Sequence, residues 1–99
     1  MSAPIYKLFM FRNTEAYYQA SEAERNEFLG KLDAAFQKVG GKRLAMCNSY
    51  WASDQWQFFG IEVFPNIEAV QEYAETMNEI NMPRFVESMS LLGTELPSP

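Results

Sequence analysis

Apolar and polar positions along the chain alternate with two different periods, and the changes of period mark the elements. Residues 5–12 (IYKLFMFR) are dense in strand-favouring side chains and follow Pro4, which predicts a first strand. A polar connector, 13–20, leads to Ser21, and Glu24 three residues later completes the pattern of a capping box. From there Phe28, Leu29, Leu32, Ala35, Phe36 and Val39 recur at spacings of three and four, with Glu24, Arg25, Lys31, Asp33 and Lys38 at other angles. That is the signature of an amphipathic helix. Gly40 and Gly41 close it, because glycine takes the left-handed C-cap conformation without a Cβ penalty. Gly30 inside the helix costs about 1 kcal/mol against alanine, which predicts a close approach of another backbone there.

Residues 42–51 and 56–64 form two further strand patterns, joined by the hairpin loop 52–55. A loop of that length sets Trp51 opposite Trp56, Ser49 opposite Phe58, Cys47 opposite Gly60, Ala45 opposite Glu62 and Arg43 opposite Phe64, all on one face. Leu44, Met46, Phe59, Ile61 and Val63 then make the other face, an aliphatic surface for helices to cover. Pro65 stops the strand, and Asn66 caps a second helix with Ile67, Val70, Tyr73, Ala74, Met77 and Ile80 on its buried side. A short helical turn is expected around Phe85 and Val86, and a last strand over 89–96. The order β-α-β-β-α-β and the right-handed crossover rule predict an α+β, ferredoxin-like fold. Its four-stranded antiparallel sheet carries two helices on one face.

Ninety-nine residues make one domain, 1–99, since a chain of this size buries a single core. The eight Phe, five Tyr and two Trp exceed what one small core uses, so some of them are expected at an interface or in a pocket. With helices on one side only, the uncovered side would expose Trp51, Trp56, Phe58 and Phe64. A homodimer burying the face of Trp56 and Phe58 around a shared interior is the expected remedy. The net charge of −5, with eight scattered Lys and Arg, argues against nucleic acid and anionic membrane surfaces as partners. No apolar run approaches the ~20 residues of a membrane span, and the N-terminus lacks signal-peptide character. With the lone Cys47 this predicts a soluble, cytoplasmic protein.

The chain has no histidine. That removes His-ligated haem, zinc and iron sites and the Ser-His or Cys-His nucleophile pair, so no metal or cofactor is expected. Catalysis would rest on Glu62, a carboxylate whose pKa an apolar face raises into the range of a general base, with Lys7 as counter-ion or substrate-anion anchor. The plain alternative is an ion pair of Glu62 with Lys7 or Arg43. Trp51, Trp56, Phe58 and Phe9 are candidates to stack a flat ligand, Arg43 to pair with its charge, and Cys47 to leave it space opposite Gly60. Tyr17, before the first helix, is placed to close over it. Each also has a structural reading, as a cross-strand pair, an inert small hydrophobe or a packed phenol.

On these features the chain resembles the dimeric α/β barrel superfamily of antibiotic-biosynthesis monooxygenases, haem-degrading oxygenases, polyketide cyclases and muconolactone isomerases. The segment AYYQASEAERNEFLGKL, residues 16–32, further resembles the first helix of small darcynin-like barrels. An Asn and Trp of monooxygenase style would be Asn48 and Trp51, which the expected register puts on opposite faces. The resemblance implies a small-molecule enzyme, a cofactor-independent monooxygenase, isomerase or cyclase acting on an aromatic or polyketide-like compound. The other reading left open is a non-enzymatic dimeric module for a hydrophobic ligand or a partner protein.

Overall fold

The computed structural model describes residues 3–97. The elements run β1 (Ile5–Asn13), α1 (Glu15–Gln19), α2 (Glu22–Lys38), β2 (Lys42–Asn48), β3 (Phe58–Phe64), α3 (Ile67–Glu79), α4 (Met82–Phe85) and β4 (Val86–Gly93). The four strands form one antiparallel sheet in the order β2-β3-β1-β4, the ferredoxin-like arrangement.

Local chemistry accounts for the helix starts. Ser21 accepts from the Glu24 backbone N–H while the Glu24 carboxylate accepts from the Ser21 N–H, closing the expected capping box at the head of α2. Asn66 accepts from Ala69 N–H at 2.8 Å and caps α3 in the same manner. Gly40 takes φ +78° just beyond α2, where a residue with a Cβ would be strained. The connector expected at 13–20 instead holds α1, capped by Thr14. Gly30 meets nothing: a Cβ there would point into open space, so the close approach expected at this residue is absent.

Both long helices pack on one face of the sheet. The core they share with it comprises Ala35, Phe36 and Val39 of α2, Phe64 of β3, and Ala69, Val70 and Tyr73 of α3. Phe64, 1% exposed, meets Phe36 edge-on with ring centroids 5.7 Å apart. Burying one such phenyl contributes about 1.5–3 kcal/mol. Ile67 and Ala74 of α3, expected inside, remain exposed because the stripe that touches the sheet is centred on Val70 and Tyr73.

The hairpin departs from its expected register, and the departure inverts the faces. β2 ends at Asn48 and β3 begins at Phe58, so the connection spans 49–57 instead of 52–55. Asn48 Oδ1 accepts from the Tyr50 N–H, and Ser53 Oγ accepts from the N–H groups of Gln55 and Trp56. These local turns consume backbone donors that a longer ladder would have used. Trp51 and Trp56 therefore lie in the loop rather than paired across strands; Trp51 is 85% exposed and Trp56 sits beside the Arg12 guanidinium. Pairing is shifted by one residue, with Asn48 opposite Phe58, Cys47 opposite Phe59 and Met46 opposite Gly60. A bulge at Leu44 shifts it once more and sets Arg43 directly opposite Glu62. β4 also starts three residues earlier than the expected Met89, at Val86.

Phe58, Gly60, Glu62 and Phe64 consequently face the helices, while Phe59, Ile61 and Val63, expected there, face away. The open side of the sheet carries Leu8, Met10, Phe59, Ile61, Met89 and Leu91, of which Leu91 is 67% exposed and Met89 55%. Cys47 lies on this open side beside Phe59, not next to Gly60.

Candidate functional site

Between the sheet and the helices lies a cavity of about 200 Å³. Beneath it the sheet is ordered in transverse rows across the strands. One row runs Arg43, Glu62, Lys7 over β2, β3 and β1; the next runs Met46, Gly60, Phe9, Ser90; the third runs Asn48, Phe58, Phe11, Ser88. Phe28, Leu29 and Leu32 of α2, Tyr73 and Met77 of α3, Met82 of α4 and Tyr17 of α1 close over it.

The floor is flat and aromatic because Gly60 makes room for it. A Cβ at position 60 would sit 2.7 Å from Phe9 Cζ and 2.6 Å from the Ala45 carbonyl oxygen. Phe9 lies over that gap and stacks on Phe11, with centroids 6.0 Å apart and planes within 21°; Phe11 in turn stacks on Phe58 at 5.1 Å. The opposite wall combines Leu29, Leu32, Met77 and Met82 with the rings of Tyr17, Phe28 and Tyr73.

All the charge is in the first row. Glu62 is 3% exposed, and Arg43 Nη2 donates to its Oε2 at 3.4 Å. Lys7 flanks it from the other strand without forming an ion pair among the described residues; its Nζ lies 5.5 Å from the centre of the Tyr73 ring. Burial pushes the Glu62 carboxyl above its usual range, and the charges of Lys7 and Arg43 return it only part of the way. Burial likewise pulls the Lys7 ammonium below its usual value, against the opposing pull of Glu62. Tyr73 is pushed up by burial and then by the nearby Glu62 charge, so its phenol stays protonated. The row therefore combines a carboxylate suited to take a proton with an ammonium suited to hold the negative charge that results.

Of the residues picked from sequence, Glu62, Lys7, Phe9, Arg43 and Tyr17 line this cavity together. Phe58 supports it from beside Phe11, whereas Trp51, Trp56 and Cys47 lie outside its lining. Sequence reasoning did not pick Phe11, Met82, Ser88 or Ser90 for the site, and it assigned Tyr73, Met77 and Met46 to the core alone. Ser88 and Ser90 had a signal, since they alternate with Met89 and Leu91 and so share one face of a strand.

No protein-family model matches the chain, and no curated protein does. Solved structures do match in fold. A protein of unknown function from Rhodopseudomonas palustris, RPA0582, superposes at TM-score 0.70 with 18% identity, over 99% of this chain and 86% of that one. A protein from Thermobifida fusca described as dimeric and ferredoxin-like matches at TM-score 0.58 and 10% identity, over 96% and 93% of the two chains. SnoaB of Streptomyces nogalater, described as a cofactor-independent oxygenase, matches at TM-score 0.54 and 12% identity, over 98% and 97%. The chain thus has the ferredoxin-like fold. Among the described residues no helix is long and apolar enough to cross a membrane.

Proposed function

We propose that the protein is a homodimeric small-molecule enzyme of the dimeric α/β barrel type, which binds a hydroxylated aromatic compound and removes a proton from it. The observation that carries this reading is the buried Glu62, set between Lys7 and Arg43 at the edge of an aromatic-floored cavity. In the step we envisage, the O–H bond of the substrate breaks, the proton goes to the Glu62 carboxylate, and the electron pair stays on the oxygen facing Lys7. The electron-rich ring that results is the common starting point for oxygenation by dioxygen, for isomerisation and for cyclisation. SnoaB's description supports the first of these by likeness of fold alone. A chain without histidine is consistent with chemistry that needs no metal or cofactor.

The dimer in this proposal is closed by the open side of the sheet, around Leu8, Ile61 and Leu91, because so apolar a face is costly in water. Trp56 and Phe58, first expected at that interface, belong to the loop and to the cavity side. The cavity lies on the other side of the sheet from this face, between the sheet and the helices. The single cysteine supports a reducing, cytoplasmic setting.

The Arg43–Glu62 pair favours one second reading, a non-enzymatic binding module in which Glu62 is only a counter-ion. Glu62→Gln separates the two, since the amide keeps the shape and cannot take the proton. In the enzyme, turnover of hydroxyaromatics found by thermal-shift screening falls roughly a hundredfold in this variant while fold and dimer persist. Binding without turnover in the parent protein, unchanged in the variant, would establish the module instead.

A further inference from the structure

We propose that the cavity selects monocyclic aromatic oxyanions: one flat ring carrying a single negatively charged oxygen group, held at the row of Lys7 and Arg43. This rests on the functional reading above and narrows its substrate class: of the aromatic or polyketide-like compounds expected from sequence, it keeps the one-ring aromatic ones.

Size is the first argument. An apolar cavity of about 150 Å³ already accommodates benzene, while sites for larger ligands begin at about 300 Å³. The 200 Å³ present here suits one substituted ring. The limits are set by fixed parts: Phe9 is packed against Gly60, and Phe28, Phe85 and Tyr17 brace one another from above, with Phe28 and Phe85 centroids 4.9 Å apart. The parallel faces of Phe9 and Phe11 match a flat ring laid along them.

Charge is the second. The whole chain carries −5, yet the cavity lining holds two cations, Lys7 and Arg43, against one carboxylate, Glu62. Arg43 is committed to Glu62. Lys7 faces Glu62 across the strands but makes no ion pair with it or with any other described residue, in a site whose other walls are largely apolar. One negative charge on the ligand would complete the row. The lowered pKa of Lys7 agrees with this, since a negative oxygen beside it, carried in by the ligand or left on it when Glu62 takes the proton, would restore the ammonium's usual affinity for its proton. Ser88 and Ser90, which line the cavity and are also exposed, would leave room for a second, neutral oxygen on the ring.

The test uses defined probes against the purified full chain: benzoate and 4-nitrophenol as one-ring oxyanions, toluene as the neutral ring, and anthracene-9-carboxylate as the three-ring oxyanion. Calorimetry is expected to rank both one-ring oxyanions about tenfold or more tighter than toluene and than the three-ring acid. Bound 4-nitrophenol should show the phenolate absorption band at a pH where the free compound is mostly protonated. Lys7→Met should remove the preference for oxyanions over toluene, and Lys7→Arg should retain it. If benzoate binds and the phenolate band is absent, the oxyanion is a carboxylate; the reverse result makes it a phenolate. Toluene or the three-ring acid binding as tightly as benzoate, or a preference that survives Lys7→Met, would overturn the substrate class and leave the cavity reading intact. No binding by any probe would overturn both.

Discussion

On β1 the side chains of Lys7, Phe9 and Phe11 point to the helices, while Leu8 and Met10 between them point the other way. β3 repeats the division, with Glu62 and Gly60 on one side and Ile61 and Phe59 on the other. The helix side mixes ionisable groups, aromatic rings and a glycine around a cavity; the open side is apolar across its middle and carries charge at one end, in the Arg12–Glu87 pair. This inverts the common arrangement in which a sheet is apolar toward its helices and polar toward water. The lesson is that a largely apolar face need not be the core of its own protomer, and that polar side chains beneath a helix layer are where a site is to be sought.

The largest effect should come from the open side. Leu8→Glu places an uncompensated charge where the proposed dimer closes, at a cost on the order of 3 kcal/mol or more. Sedimentation velocity should show the dimer dissociation constant rising by roughly a hundredfold, with the far-ultraviolet spectrum of the protomer preserved. A variant that remains as tight a dimer as the parent would mean that some other surface closes it.

On the cavity side, Gly60→Ala should destabilise by about 1–3 kcal/mol, because the new methyl meets the Ala45 carbonyl and the Phe9 ring. Urea denaturation measures the loss. Phe9 would move into the cavity, so ligand-induced thermal shifts should shrink in the same variant. If they do not, Phe9 is not the floor on which the ligand lies.

The smallest effect is electrostatic. A carboxyl whose folded pKa is raised binds its proton more tightly in the folded state, so its contribution to stability is full below its ordinary value near 4.5 and is lost as pH rises through the folded value. Glu62→Gln removes this dependence. The variant should match the parent near pH 4 and gain on it with rising pH, by about 1.4 kcal/mol for each unit by which the folded value exceeds the unfolded one. Equal stability of the two proteins from pH 4 to 8 would show that Lys7 and Arg43 compensate the burial of Glu62 fully.

The kind and order of the elements were legible in the chain because their signals are local. Ser21 with Glu24, Asn66, the glycines after α2 and the three-and-four spacing of Phe28, Leu32 and Phe36 act within a few residues of one another, and the structure follows them. Glu62 and Lys7 were legible as well, since an ionisable residue in the middle of an apolar strand stands out whichever way the strand faces. The faces were not. On β3 both alternating sets, Phe58–Phe64 and Phe59–Val63, are apolar enough to be buried, so hydrophobicity does not choose between them. The choice fell to contacts remote in sequence: Phe64 against Phe36 and Tyr73, and Phe9 over Gly60. The pairing of Arg43 with Glu62 depended in addition on the bulge at Leu44 and the turns after Asn48, which moved the register by one residue and then another. Because side chains alternate with a period of two, a slip of one residue exchanges the faces of a whole strand, and only packing against the other layer distinguishes the results.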